Sequence, residues 1–327
     1  MNNFDRNLGR TGASETSALQ QLKKLTDSID DNWWKDLLRA WIPAGYGGNN
    51  PMRLAVRNGY LNFYLRGQSV ARVGFGHGRV PFAETHIKFA SPEDGETRKG
   101  YVRLAEGEFR ISSTKKLDWR YAPKLTLRQW LDRADKRGRR KNNDSFAEKT
   151  FVDRVVAKNG RVIDLEMGLP AWKGSKTAKR MDLVSLEPFK GHLRIVFWEA
   201  KTISDSRLVS IGDPEVKKQF ANYCGYLASE DQAQQVIKAY RKNCSVLIEL
   251  HCLAQRVRAD IEPLDETIIQ AATAKDGEIS ICNQPRLIVF DNRVGNHTKS
   301  WPDHKEKLRD WLGSSFKVLP TENYDLW

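Results

Sequence analysis

The sequence predicts an α/β protein in two parts. The first is an N-terminal α+β unit built on an antiparallel sheet, and the second an α/β sandwich around a mixed sheet. Three observations carry this expectation. Short β-like runs separated by turn signals fill residues 52–112. From 145 onward, helical and strand-like patterns alternate. Between the two lies a polar, basic run from Arg133 to Asp144, six of whose first nine residues are Lys or Arg. A chain of 327 residues suits about two domains of typical size. The expected units are therefore 1–132 and 145–327, joined by a basic linker over 133–144.

Each element follows from local pattern. Leu19, Leu22 and Leu25, then Trp33, Trp34, Leu37, Leu38 and Trp41, recur at helical spacing and predict helix over 14–41, ended by the Pro43 to Pro51 segment. Strands are expected at Tyr60 to Leu65, Val70 to Phe75, Thr85 to Phe89 and Gly100 to Leu104, and a helix over 126–136. In the second part, a helix over 145–158 precedes strand-like runs at Val162 to Leu169, Met181 to Leu186 and Leu193 to Lys201. Helix opens again at Asp213-Pro214 and continues to about 257 and over 264–273. A buried strand Arg286 to Phe290, a helix over 303–312 and a strand Phe316 to Leu319 complete the pattern.

Charge and composition narrow the function. The net charge is +13, with 54 Lys and Arg against 41 Asp and Glu. Its placement says more, because residues 51–200 hold 31 basic and 17 acidic residues while the rest of the chain is nearly balanced. Such a block attracts polyanions through counterion release. No apolar run has the length of a membrane helix, so no membrane partner is expected. The N-terminus lacks a secretory plan, and Cys224, Cys244, Cys252 and Cys282 show no disulfide or metal spacing, so a cytoplasmic location is expected.

The chemistry concentrates at Leu193-Arg194-Ile195-Val196-Phe197-Trp198-Glu199-Ala200-Lys201. Here an apolar strand ends in an acid and a base two residues apart, hence on one face. The turn Pro188 to Gly191 makes a hairpin with the preceding strand, and a hairpin centred between 190 and 191 sets Asp182 opposite Glu199. Facing Cβ atoms in such pairs are about 4.5–5.5 Å apart. Two carboxylates that close repel unless a cation or shared proton intervenes. A hard ion such as Mg²⁺ suits oxygen ligands, and Lys201 would stand beside it. The bare acid-x-Lys spacing occurs three times, also at Glu215 to Lys217 and Asp303 to Lys305, but only the Glu199 copy ends an apolar strand with an Asp opposite.

This arrangement resembles the PD-(D/E)xK nuclease superfamily over residues 145–320, with Met181 standing where the family motif has Pro. The resemblance implies a restriction-endonuclease-like fold and phosphodiester hydrolysis with Mg²⁺ or Mn²⁺. By it, Asp182, Glu199 and the Ala200 carbonyl match metal ligands and Lys201 the catalytic lysine. Glu148 shares a buried face with Phe151, Val152 and Val155 and matches the helical acid of the cluster, although Ser145 to Glu148 also reads as a capping box. Gln219 and Tyr223, one helical turn apart, resemble the Q-x-x-x-Y element of RecB-type members, which supports the site and contacts the nucleic-acid backbone. Tyr223 as an ordinary core residue is the alternative. Lys173, Lys176, Lys179, Arg180, Lys217 and Lys218, with Arg139 and Arg140 of the linker, are expected phosphate contacts. The expected activity is a Mg²⁺-dependent deoxyribonuclease, with RNA as the alternative substrate. Analogy with standalone family members points to bacterial restriction or anti-phage defence. The N-terminal unit would recognise or dock, onto nucleic acid, a partner protein or another copy. A nucleic-acid-binding protein using the same fold as a non-catalytic scaffold is the other reading.

Overall fold

Short apolar runs closed by tight turns build the first sheet, with its first two strands buried almost throughout and Pro81–His86 alternating. The computed structural model describes residues 4–9, 12–48, 52–91, 99–111, 115–140, 144–170, 180–208, 215–291, 300–320 and 323–327. Helices α1 (Gly12–Asp27) and α2 (Trp33–Ala40) lead into seven antiparallel strands in chain order: β1 (Arg53–Arg57), β2 (Tyr60–Leu65), β3 (Gln68–Phe75), β4 (Pro81–His86), β5 (Tyr101–Ala105), β6 (Glu108–Arg110) and β7 (Lys116–Arg120). The one-turn helix α3 (Ile87–Ala90) follows β4, and α4 (Leu125–Arg140) follows β7. Leu61, Phe63, Val73, Ala83, Val102 and Leu104 bury one face of this sheet among the helices.

The second part comprises α5 (Asp144–Lys158), β8 (Val162–Gly168), β9 (Arg180–Phe189), β10 (His192–Thr202), α6 (Glu215–Leu227), α7 (Glu230–Val257), α8 (Glu266–Thr273), β11 (Ile279–Ile281), β12 (Arg286–Asp291), α9 (Trp301–Leu312) and β13 (Phe316–Pro320). Its sheet runs β13-β12-β10-β9-β8, with β11 also pairing with β10. The β8, β9 and β10 ladders are antiparallel, and those of β10, β11, β12 and β13 are parallel, so the sheet is mixed as expected. On β10, Val196, Trp198 and Ala200 pack toward α5, whereas Ile195 and Phe197 face the cluster holding Tyr223 and Tyr240. Among the described residues no helix is long and apolar enough to cross a membrane.

Three expectations are corrected. The helix expected over 14–41 is two helices, because Asn32 starts a new one by accepting hydrogen bonds from Trp34 N and Lys35 N, each at 3.1 Å. The strand expected at Thr85 to Phe89 stops at His86, whose ring nitrogen accepts from Lys88 N at 3.1 Å and turns the chain into α3. The linker expected over 133–144 is helical through Arg140, since Arg, Lys and Ala favour helix and this run is anchored. Ala134 is fully buried, its carbonyl accepts from Gln68 Nε2 at 3.0 Å, and Asp135 pairs with Arg66. The expected helix start at Asp213-Pro214 lies outside the described residues.

The core runs through both parts without a break, one apolar cluster uniting Phe4 to Trp130 with Ile163 to Leu312. A buried ion cluster ties them further. Asp164 of β8 accepts from Arg6 Nε at 2.9 Å and Tyr240 OH at 3.1 Å, and it pairs with Arg57 of β1. At the far end of α5, Gly45 N donates to Val156 O at 2.8 Å, and a Cβ on Gly45 would lie 2.9 Å from Gly160 Cα. Gly45 also sits at φ +91°, where side chains are strained. Gly45→Ala is accordingly expected to cost about 1–3 kcal/mol in a urea titration. Beside it, Asn159 Nδ2 donates to Tyr324 O at 2.7 Å, and Asn159 Oδ1 accepts from Leu326 N at 2.9 Å, which docks the C-terminal segment.

Candidate functional site

The turn between β9 and β10 sets the site's register. Lys190 and Gly191 both adopt positive φ (50° and 82°), as a tight two-residue hairpin turn requires. The ladder runs from His192↔Phe189 to Trp198↔Leu183, which brings Asp182 opposite Glu199 as the sequence predicts. Asp182 Oδ2 is held there by the Ala200 N–H at 2.7 Å.

Four of the expected ligand groups surround one positive charge, the Lys201 ammonium. It hydrogen-bonds Glu199 Oε1 and, at 2.7 Å, the Ala200 carbonyl. Glu148 Oε2 lies 3.6 Å from it and Asp182 Oδ2 3.8 Å. Lys201 is only 1% exposed and Glu199 2%, so little water reaches these charges. Glu148 places its carboxylate on Lys201 and, at 3.5 Å, on Arg207 Nη2. Phe151 and Val155 of the same helical face are buried beneath it.

Electrostatics follow from this burial. Desolvation pushes the Glu199 carboxyl up, Asp182 adds to the rise, and the Lys201 charge opposes it. Glu148 is raised for the same leading reason. Burial would push the Lys201 ammonium down, but the Asp182, Glu199 and Glu148 charges outweigh it and hold the group above its ordinary value. Lys201 is thus a cation at neutral pH, fitted to donate hydrogen bonds and not to abstract a proton.

Of the second shell of expectations, Gln219 is at the site: its Nε2 donates to Glu199 Oε2 at 2.7 Å and to the Arg180 carbonyl at 2.9 Å. It therefore orients Glu199. Tyr223 is buried, and its hydroxyl has no hydrogen-bond partner among the described residues. A cavity of about 420 Å³ opens over the cluster, lined by Glu148, Asp182, Glu199 and Lys201 and rimmed by Arg180, Arg207, Lys218 and Gln219. Lys217 points elsewhere, its ammonium 5.5 Å from the centre of the Trp311 ring. Lys173, Lys176 and Lys179 lie outside the described residues, as do the side chains of Arg139 and Arg140. Arg207, held by Asp205 and reaching Glu148, was not foreseen. It sits in an irregular loop, and its closeness in sequence to Lys201 is the only signal for it.

Among the described residues no three Asp, Glu, His or Cys side chains form a metal-ligating group. The donor atoms of Glu148, Asp182, Glu199 and the Ala200 carbonyl are all oxygen, the set that suits Mg²⁺ or Mn²⁺. No protein-family model, curated protein or solved structure matches this chain.

Proposed function

We propose that the protein is a metal-dependent nuclease of the PD-(D/E)xK kind, hydrolysing phosphodiester bonds in DNA. One observation carries the reading: three carboxylates and a strand-end carbonyl face a single buried lysine. Glu148, Asp182 and Glu199, with Asp205, outnumber Lys201 and Arg207, and a divalent cation would offset that surplus of carboxylates. Asp182, Glu199, Glu148 and the Ala200 carbonyl are the groups that would hold Mg²⁺ or Mn²⁺. When bound, such an ion lowers the pKa of water and offsets charge on a phosphate.

The chain's own residues supply the rest. Lys201, kept charged by its acidic neighbours, donates hydrogen bonds toward a phosphate oxygen or an attacking water at the cavity floor. Gln219 fixes Glu199 by one oxygen so that the other stays turned to Lys201. The Asp182 carboxylate cannot swing away while the Ala200 N–H holds it. Arg180 and Lys218, both exposed at the rim, are placed to hold flanking phosphates. A role in bacterial restriction or anti-phage defence is the analogy this reading brings with it.

Incubation of the protein with plasmid, linear DNA and RNA in Mg²⁺, Mn²⁺ or EDTA tests the reading. Cleavage should need the metal, and Asp182→Asn should reduce it by about 10²-fold or more. Cutting that continues undiminished in Asp182→Asn would place the chemistry elsewhere. Salt-sensitive binding without cutting of any substrate would favour the non-catalytic scaffold.

A further inference from the structure

The second face of the N-terminal sheet is polar and aromatic, with Asn62 and Tyr64 buried, Tyr60 and Arg72 half-buried and Tyr101 exposed. Residues paired across antiparallel strands share a face. The register Asn62↔Arg72, Arg72↔Glu84 and Glu84↔Arg103 therefore lines up one row, with Tyr60 and Tyr64 flanking it on β2 and the His86↔Tyr101 pair on β4 and β5. This face is aromatic and basic where the opposite one is aliphatic. It forms the wall of a cavity of about 860 Å³ that continues to the second part of the chain. Six lining residues are Lys or Arg (Arg6, Arg57, Arg72, Lys88, Lys149 and Arg180), and Glu166 is the one acid among them. Arg6 and Arg57 share one counter-charge from behind, Asp164, and Arg180 lies 4.0 Å from Glu166, so basic groups still outnumber acids along the lining.

Two details speak for a ligand with both flat rings and negative charge. The Arg72 guanidinium lies 4.0 Å from the Tyr60 ring centre, and its buried Nε has no hydrogen-bond partner among the described residues. Tyr101 is 54% exposed, yet its ring stands 5.5 Å from that of His86, so an aromatic platform is held open to the cavity. The cavity also borders the candidate active site. Arg180 lines both, and Lys149 on its wall follows Glu148 directly in α5.

We propose that this cleft is the path of a single-stranded nucleic acid leading to the acidic cluster. Bases would stack on Tyr101 and Tyr60, while Arg72, Lys88, Lys149 and Arg180 hold phosphates. The inference deepens the proposed function and rests on its nucleic-acid substrate. Exposed ring faces serve unstacked bases, which a duplex does not offer.

Fluorescence anisotropy in EDTA separates this inference from the catalytic one, since nothing is cut during the measurement. The probes are a labelled oligothymidylate of about 16 nucleotides, a duplex of equal length, and thymidine monophosphate as competitor. The single strand should bind more tightly than the duplex. Tyr101→Ala should weaken it by about five- to 150-fold, whereas Tyr101→Phe, which keeps the ring, should bind within about twofold of the parent. Arg72→Gln should weaken binding and reduce the salt slope by about one. Tight, Tyr101-dependent single-strand binding supports the path even if the protein cuts nothing. Equal affinity for the duplex, an unchanged Tyr101→Ala, or monophosphate binding as tight as the oligomer would each overturn it.

Discussion

Lys201→Ala is expected to slow metal-dependent DNA cleavage by at least about a hundredfold and to change how the protein responds to metal. In the parent, one ammonium answers the charges of Glu148, Asp182 and Glu199. Without it, buried Glu199 faces half-buried Glu148 and Asp182 with its counter-charge gone, and breaking a buried pair costs about 3–5 kcal/mol. The variant should melt earlier than the parent in EDTA. Added Mn²⁺ should then raise its Tm by more than it raises the parent's, because the ion takes over the counter-charge that Lys201 gave Glu199 and Asp182. Lys201→Met, which keeps the apolar stem, should behave in the same way with less packing loss. Plasmid cleavage and thermal melts with and without Mn²⁺ read both effects. Full activity in either variant would remove Lys201 from the mechanism, and a loss of stability that metal does not restore would make the cluster purely structural.

Asp164→Asn should be the most damaging single change to stability, by about 3–5 kcal/mol, since it strands Arg6 and Arg57 as buried charges without their counter-ion. Burial alone would raise the Asp164 carboxyl, but the Arg57 and Arg6 charges overcome that and hold it below its ordinary value. A carboxylate depressed in the folded state contributes stability that is fully present above its unfolded pKa, near 3.9, and is lost as pH falls through the folded value. The urea midpoint of the parent should therefore decline below about pH 4 more steeply than that of Asp164→Asn. Parallel declines in the two proteins would show that another group governs acid unfolding.

What could be read from the sequence depended on whether the deciding contacts were local. The facing of Asp182 and Glu199 was legible because a two-residue turn at Lys190-Gly191 fixes every pair in the hairpin. The alternation on β10 likewise placed Glu199 and Lys201 together. Glu148 was half legible: its buried stripe was plain, but whether its carboxylate would turn to its own helix end or to Lys201 depends on how α5 docks across the sheet. The basic run at 133–140 misled, because its polarity hid Ala134 and Asp135, which anchor it to β2, β3 and the loop between them. Arg207 obeys no period, and only the folded chain brings it to Glu148.

The anchoring of α5 gives the site a mechanical property. The helix is gripped near its C-terminal end, where Asn159 holds the last residues of the chain and Gly45 N bonds Val156. Glu148 rides eleven residues away from Asn159, roughly 16 Å along the axis at 1.5 Å per residue. Between that grip and Glu148 the helix is held further by Arg53 on Asp153 and by the Phe290 ring stacked on Phe151. A tilt of only about four degrees at the C-terminal grip swings the carboxylate by about 1 Å, the scale of misplacement that can cost a reaction about 10²-fold. The fine adjustment of this acidic cluster is therefore set by residues that never touch it.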